Sequence, residues 1–215
     1  MERQTESQRK SLQQAVSRYH KALPDSPAAD FLNQRGLEAF DIGKYRFGFV
    51  EDPLPEHVQH KGKLAIPYLR YHPRHGWTCV SIRFRTLTDS KPKYASVSGD
   101  RPRLYNTPAL YSDSKRVGIC EGEIDAITAS LVGLPTVGIP GSTTWQSYWA
   151  EAFKGYEEVL VFTDGDDPGK KMGRTIAHDL SNIRIIPLPD GEDINSILTS
   201  QGIEALQEQL LIGKD

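Results

Sequence analysis

The sequence predicts an α/β protein, in which a smaller basic α+β subdomain precedes a parallel sheet with flanking helices. Two patterns carry this prediction. Beyond about residue 115, short apolar strands alternate with helical segments, and crossovers between parallel strands need such helices. Before that point, strand-like segments follow one another directly, as in antiparallel hairpins. The length of 215 residues allows one large domain or two small ones.

The predicted N-terminal subdomain covers residues 1–110 and opens with helices. Residues 7–22 place apolar side chains at helical spacing on a polar background, and AADFLNQRG predicts a second helix that closes on Gly36. YRFGFV has the aromatic and β-branched content of a strand. Between residues 63 and 97, the alternating segments KLAIPYL, WTCVSIRFR and PKYASV predict antiparallel strands joined by turns.

The second predicted domain covers residues 115–190, and a helical segment follows over 191–215. Its strands are VGICEG, PTVGI, EVLVFTD and IRIIPL. Its helices are predicted over 123–133, 143–153 and 168–181, and GIEALQEQLLIG predicts a last helix. Ligands of open parallel sheets bind at the carboxyl ends of the strands, so the residues at those ends are the first candidates for a site.

Composition limits the classes of function. The 26 Lys and Arg against 28 Asp and Glu give a net charge of −2, so nucleic-acid binding requires local clustering of basic residues. Cys79 and Cys120 are too few for a disulfide scaffold and predict two reduced thiols in an intracellular, cytoplasmic protein. No apolar run approaches the roughly 20 residues of a membrane helix, and the first residues lack the apolar core of a signal peptide, so no membrane partner is expected.

Acidic residues stand at the ends of two predicted strands. VGIC runs into Glu121, and VLVFT runs into Asp164 and Asp166. Carboxylates close together repel one another unless a cation lies among them. Mg²⁺ prefers a few carboxylates together with waters and substrate phosphates. We therefore predict a Mg²⁺ (or Mn²⁺) site here, with Asp167 capping the next helix and Pro168 at its first position.

The segment DGDDPG has two other possible interpretations. A surface turn with a helix cap is the simpler one, since Asp and Gly are common in turns. An EF-hand calcium loop is a poor match, because Pro168 takes the fifth position and Thr175 takes the twelfth, where a bidentate Glu is needed.

Basic residues cluster in the β-subdomain and just after it. Alternation in SIRFRT places Arg83 and Arg85 on the same strand face, which suits phosphate binding; a solvated strand face is the alternative. Lys170 and Lys171 open the helix after DGDDPG, where cations oppose the helix dipole unless an anion or the adjacent aspartates compensate. The candidate nucleotide- and DNA-binding residues are Lys63, Arg83, Arg85, Lys93, Arg101, Arg103, Lys170 and Lys171.

Taken together, the motifs resemble a known family. EGEIDA, DGDDPGKK and LPDGEDINSIL, in this order, resemble the Toprim domain, a metal-binding fold of bacterial primases, topoisomerases and certain nucleases. Upstream, FLNQRGL, YRFGFV, GKLAIPYLR, SIRFRTLTDSKPKY and RLYNTPAL are similar in order and spacing to the RNA-polymerase core of bacterial DnaG-type DNA primases. The resemblance covers roughly residues 10–200 and implies a Rossmann-like Toprim sheet.

The resemblance also implies roles for individual residues. The catalytic acids would be Glu121, Asp164 and Asp166, and the metal ligands would be Glu121, Asp164, Asp166, Asp125, Asp193 and Asn195. Asn195 departs from the family, which usually has a carboxylate there; its amide oxygen can bind a metal but adds no charge. Arg85 and Lys93 match a basic pair that family members use toward nucleotide and template, and Lys63 is a weaker third.

The activity implied by the resemblance is that of a DNA primase catalytic core. It would synthesise short RNA primers on single-stranded DNA from NTPs by nucleotidyl transfer with two Mg²⁺ ions. A Toprim nuclease that hydrolyses phosphodiesters and a non-catalytic DNA-binding replication module are the alternatives. The zinc-binding and helicase-interacting domains of typical members are not recognisable. A replicative helicase or a separate zinc-binding template-recognition protein are therefore expected partners, as in a compact phage or plasmid system within a bacterial host.

Overall fold

The computed structural model describes residues 4–39, 42–72, 76–164 and 166–211. The chain divides into two compact units, Met1–Arg101 and Pro102–Asp215, and each unit contains one four-stranded sheet. The first sheet is antiparallel and the second is parallel, which confirms the predicted fold class.

The first unit packs helices against an antiparallel sheet with the strand order β1-β2-β3-β4. Its α-helices and strands are α1 (Glu6–Lys21), α2 (Pro27–Gln34), β1 (Gly48–Phe49), β2 (Leu64–His72), β3 (Gly76–Arg85) and β4 (Tyr94–Ser96). Short 3₁₀ helices lie at Leu37–Ala39, Gly43–Tyr45 and Pro55–His60. Part of the predicted turn HPRHG falls on residues 73–75, which are outside the described residues.

Helix α1 covers the core of the first unit. It begins with a capping box in which the Thr5 side chain accepts from the Gln8 backbone amide and the Gln8 side chain accepts from the Thr5 amide. Its buried face then packs with residues of β2 and β3. This core consists of Ala15, Val16, Tyr19, Val50, Leu54, Ala65, Cys79, Ile82 and Phe84.

The second unit is the predicted parallel sheet, with the strand order β6-β5-β7-β8. Its strands and α-helices are β5 (Arg116–Glu121), α3 (Glu123–Leu131), β6 (Thr136–Ile139), β7 (Glu158–Thr163), α4 (Asp167–Asp179), β8 (Ile183–Pro187) and α5 (Ile194–Gln209). The two central strands are buried over almost their whole length, as expected for a parallel sheet covered on both faces.

The structure corrects two of the predicted helices. Residues 143–153 do not form an α-helix; only Ser147–Ala152 are helical, as a 3₁₀ helix. Here Trp145 and Trp149 are buried in edge-to-face contact, and the Trp145 indole donates to Asp179, so packing of large rings decides the backbone. Further helical residues from Ile194 precede the predicted last helix, and a kink at Gly202, whose φ is 89°, separates the two parts of α5.

Two further predictions concern cysteines and membranes. Cys79 and Cys120 are both free and buried, as predicted, and burial raises the pKa of Cys79 to about 12. Among the described residues, no helix combines the length and the apolar character that crossing a membrane requires.

Candidate functional site

The two acidic strand ends lie at the same edge of the second sheet. β5 and β7 are adjacent and parallel, and Ile119 pairs with Val161. Glu121 therefore ends β5 opposite the end of β7, and Asp164 follows β7 directly. Gly122 has a φ of 88°, a conformation that lets the chain turn sharply after Glu121 into α3.

Asp164 is the most perturbed carboxylate of this edge. Burial first, and then the negative charges of Glu121, Asp193 and Asp166 in that order, together raise its pKa to about 6. Each of these three carboxylates is thus close enough to Asp164 to act on it electrostatically. A cation among them would relieve both the repulsion and the cost of burying a charge.

Asp166 has a structural role in addition to its position in this group. It is the N-cap of α4, and its Oδ1 accepts from the Gly169 backbone amide at 2.8 Å. The predicted cap, Asp167, is instead the first helical residue, and Pro168 is the second. Gly169 permits this close approach, since a Cβ there would lie 2.6 Å from the Asp164 carbonyl oxygen.

The remaining predicted ligands join the first turns of α3 and α5. Asp193 is the N-cap of α5, and its side chain accepts from the Ser196 backbone amide at 2.6 Å. Asp125 Oδ1 accepts from the Asn195 backbone amide at 2.9 Å. The Asn195 side chain is buried, and its amide nitrogen donates to Thr128 Oγ1 at 3.1 Å. Asn195 is therefore engaged with α3.

The donor set fits Mg²⁺. Among the described residues, no three His, Cys, Asp or Glu side chains already stand at the mutual distances of a complete metal cage. Mg²⁺ does not need such a cage, because it is usually bound by one or two carboxylates together with waters and substrate phosphates. Asp164 and Glu121 suit this mode of binding, since they are half-buried and all their candidate ligand atoms are hard oxygens.

In the first unit, Arg85 lies between two aromatic rings. Its guanidinium carbon is 4.6 Å from the Phe31 ring centroid and 5.1 Å from that of Tyr94, and its Nη1 donates to the Tyr94 hydroxyl at 2.7 Å. Arg83 lies 4.7 Å from the same Tyr94 ring. No carboxylate of the described residues forms an ion pair with Arg85, so its charge is stabilised by rings and not by an anion.

The other predicted basic residues differ in exposure and belong to different units. Lys63, Lys93 and Arg101 belong to the first unit, and Lys63 alone of these three is half-buried. Arg103, Lys170 and Lys171 belong to the second unit, where the two lysines are exposed on α4.

Sequence reasoning missed the two rings that hold Arg85. Tyr94 pairs with Arg85 across β3 and β4, and the strand-like character of PKYASV was a usable signal for this register. Phe31 lies on α2, and no local pattern links it to β3.

Comparisons with known proteins identify the family and the fold. A Toprim-like family model matches residues 118–198. The Gene 57 protein of Mycobacterium phage D29 is 52% identical over 151 residues, which are 70% of this chain and 99% of the phage protein. The DNA primase of Pseudomonas putida is 26% identical over 239 aligned positions, which cover 89% of this chain and 36% of the primase. The chain thus spans about a third of that primase's length.

A solved structure shows the same fold. A DnaG primase catalytic domain bound to single-stranded DNA superposes on this chain with a TM-score of 0.74 at 18% identity. The match covers 94% of this chain and 77% of that domain. The resemblance to DnaG-type primases noted in the sequence is confirmed. The chain belongs to the family of the phage D29 Gene 57 protein, and it carries a Toprim-like domain within the fold of the DnaG primase catalytic core.

Proposed function

We propose that this chain is a DNA primase catalytic core that joins ribonucleoside triphosphates into short RNA primers on single-stranded DNA. The observation that carries the proposal is the environment of Asp164, where burial and three neighbouring carboxylates raise its pKa to about 6 and favour a divalent cation. Phosphoryl transfer asks a protein mainly to position the reactants and to neutralise developing charge. A carboxylate edge able to hold Mg²⁺ meets the second demand.

The carboxylates divide into two roles. Asp164 and Asp166 hold the metal, and Glu121 either ligates it or assists removal of the proton from the attacking hydroxyl. Asp125 and Asp193 support them from the first turns of α3 and α5. When bound, Mg²⁺ neutralises the triphosphate and lowers the pKa of the attacking hydroxyl.

The basic residues bind the phosphates of template and nucleotide. Arg85 is the strongest candidate, because its guanidinium is already oriented by two rings and forms no ion pair among the described residues. Rings that hold a guanidinium reduce the entropy it loses when it meets a phosphate. The other residues proposed to bind phosphates are Lys63, Arg83, Lys93, Arg101, Arg103, Lys170 and Lys171.

Partners follow from the same proposal. This chain matches 36% of the length of the Pseudomonas putida DNA primase. A replicative helicase and a separate zinc-binding protein that recognises the template are the proposed partners, in the cytoplasm of a bacterial host.

One assay tests the proposed activity. The protein is incubated with single-stranded DNA, NTPs, and Mg²⁺ or Mn²⁺, with and without the helicase of its replication system. Short RNA products that disappear in Asp164→Asn and Glu121→Gln variants support the proposal. Full activity in either variant contradicts the assignment of the site.

The same assay separates the alternatives. Degraded DNA without RNA products indicates a Toprim nuclease, which would use the same acids for hydrolysis. Retention of DNA without either product indicates a non-catalytic replication module, an outcome to which the neutral side chain of Asn195 gives weight.

A further inference from the structure

We propose that Asn195 is a positioning residue, which fixes the start of α5 against α3 so that Asp125 and Asp193 are held at the acidic edge. This inference rests on the proposed function for the Mg²⁺ site and adds a role for one residue of that site.

Asn195 contacts α3 through both its backbone and its side chain. Its backbone amide donates to Asp125 Oδ1 at 2.9 Å, and its side-chain amide nitrogen donates to Thr128 Oγ1 at 3.1 Å. Asp125 and Thr128 are three residues apart, so they lie on the same face of α3. Asn195 is only 1% exposed, so water cannot replace these contacts. The two contacts fix both the height and the rotation of α5 relative to α3.

The hydroxyl of Thr128 determines which side chain fits at position 195. This hydroxyl has one hydrogen, which it donates to the Ile124 carbonyl oxygen at 2.9 Å. Toward residue 195 it can therefore only accept. An Asn amide nitrogen supplies the required donor, whereas an ionised carboxylate would place two acceptors face to face in a buried space.

The charge of Asp125 adds a second argument. A carboxylate at position 195 would stand beside Asp125, which already receives the backbone amide of the same residue. Two like charges would then compete for one set of donors in a buried environment. The surroundings of position 195 thus select a neutral donor.

The contact with α3 also fixes Asp193. Asp193 precedes Asn195 by two residues and caps α5, so a shift of the first turn of α5 would carry it along. Its charge acts on Asp164, which places it near the proposed metal. Loosening Asn195 would therefore shift Asp193 and remove the backbone amide contact that orients Asp125.

The test measures Mn²⁺ affinity by electron paramagnetic resonance on the full chain, without nucleotide, so that no catalysis is needed. Three variants are compared at a temperature where circular dichroism shows each to be folded. Asn195→Asp removes the donor and adds a carboxylate, and Thr128→Val removes the acceptor without a change of charge. Thr175→Val is the matched control, because Thr175 makes the same bond to the carbonyl four residues earlier, on the exposed face of α4.

A positioning role predicts that Asn195→Asp and Thr128→Val both weaken Mn²⁺ binding by about tenfold, the size typical of lost support for a metal ligand, while Thr175→Val leaves it unchanged. Tighter binding in Asn195→Asp would show that position 195 contacts the metal and would overturn the inference. If Mn²⁺ affinity is unchanged in both variants and only the Tm is lower, the contacts contribute to stability but not to metal binding. This result would also overturn the inference.

Mn²⁺ binding and primer synthesis by the wild-type protein distinguish failure of this inference from failure of the proposed function. If wild-type protein binds Mn²⁺ but makes no primer, the proposed function fails while the positioning role is still decided by the variants. If wild-type protein binds no Mn²⁺, the metal site fails and the inference is overturned with it.

Discussion

Each unit contains side chains whose charge is not fully neutralised by an ion pair, a cation in the first unit and carboxylates in the second. The two kinds of charge are stabilised in different ways. In the first unit, the cation Arg85 lies against Phe31 and Tyr94 and has no carboxylate partner among the described residues. In the second unit, Glu121 and Asp164 stand in a group of four carboxylates. The π faces of aromatic rings tolerate a cation without cancelling its charge, and helix N-termini do the same for anions.

This difference bears on the proposed function, which requires both a cation that binds phosphate and carboxylates that bind a metal. A phosphate needs a cation whose charge is not already neutralised, and a metal needs carboxylates whose repulsion it can relieve. Each unit meets one of these needs. Each of the following predictions tests one side of this comparison.

The largest expected effect is at Asp164. Asp164→Asn should reduce primer synthesis by roughly 10³-fold, since the variant loses a charged ligand at the point where charge develops. The metal-free variant should be more stable than the wild type at pH 7.5 by about 1–2 kcal/mol, because the raised pKa reports an ionised state that the fold disfavours, discounted for solvent screening. Primer synthesis and urea unfolding in EDTA measure the two effects.

A control variant separates charge repulsion from general loss of a carboxylate. Asp190→Asn changes an exposed carboxylate in the loop between β8 and α5 and should alter neither quantity. A metal-free Asp164→Asn protein that is less stable than wild type would mean that the acidic edge is not strained, and the comparison would fail.

The sequence predicted this edge better than any other part of the site. Glu121 and Asp164 follow short apolar strands, and the rule that sites lie at the carboxyl ends of parallel strands needs no knowledge of side-chain contacts. The sequence placed the cap of α4 at Asp167, one residue after the observed cap, Asp166. Both positions hold Asp, so the residue type does not distinguish them and only the backbone decides.

The second prediction concerns the cation of the first unit. Arg85→Ala should weaken binding of single-stranded DNA by about tenfold and should lower the salt slope by about one, as expected for the loss of one phosphate contact. Arg85→Lys should restore only part of the affinity, because an ammonium keeps the charge but lacks the planar group that lies against two rings. Fluorescence anisotropy over a range of salt concentrations measures both.

Arg184→Ala is the matched control for Arg85. Arg184 is an exposed arginine on β8, and its guanidinium lies 3.6 Å from the Glu158 carboxylate, so its charge is already paired. DNA affinity should not change. An equal loss of DNA affinity in Arg184→Ala and Arg85→Ala would indicate a general effect of net charge and would contradict a specific phosphate contact by Arg85.

The surroundings of Arg85 include one feature that the sequence predicted and one that it did not. The alternation in SIRFRT predicted that Arg83 and Arg85 share a strand face, because the period of a strand is a local property. Phe31 lies on a helix far from this strand in the sequence, and its contact with Arg85 depends on how the helix packs against the sheet. Contacts of this kind follow from tertiary packing, which a single sequence does not encode locally.

The third prediction tests the backbone that supports the acidic edge. In Gly169→Ala, the new Cβ would lie 2.6 Å from the Asp164 carbonyl oxygen, so the first turn of α4 has to move away from Asp164 and Asp166. We expect a loss of about 1–3 kcal/mol in stability and a several-fold weaker Mn²⁺ affinity. Gly155→Ala is the control, since nothing lies within 4 Å of its new Cβ. Equal effects of the two substitutions would contradict the proposed close approach.

The smallest expected effect is a difference in pH dependence between the units. Burial, with the positive charges of Lys63 and His57, lowers the pKa of His60 to about 4, and the His60 ring stacks on Phe84. Neither ring nitrogen of His60 has a hydrogen-bond partner in the described part of the chain. The folded state therefore favours neutral His60. Its contribution is complete above the unfolded pKa of about 6.5 and is lost as the pH falls toward 4.

The contribution of Asp164 to the pH dependence of stability has the opposite sign. Its folded pKa of about 6 lies above the unfolded value, so the metal-free fold binds a proton more readily than the unfolded chain does between about pH 4 and 6. Acidification through this window stabilises the fold at Asp164 and destabilises it at His60. Urea unfolding in EDTA at pH 7.5 and 5.0 should therefore show a smaller acid loss in His60→Phe than in wild type, by about 1–2 kcal/mol, and a larger one in Asp164→Asn. If both variants lose the same unfolding free energy on acidification, neither side chain accounts for the pH dependence of its unit. If the acid loss decreases in His60→Phe and increases in Asp164→Asn, these two side chains account for the difference between the units.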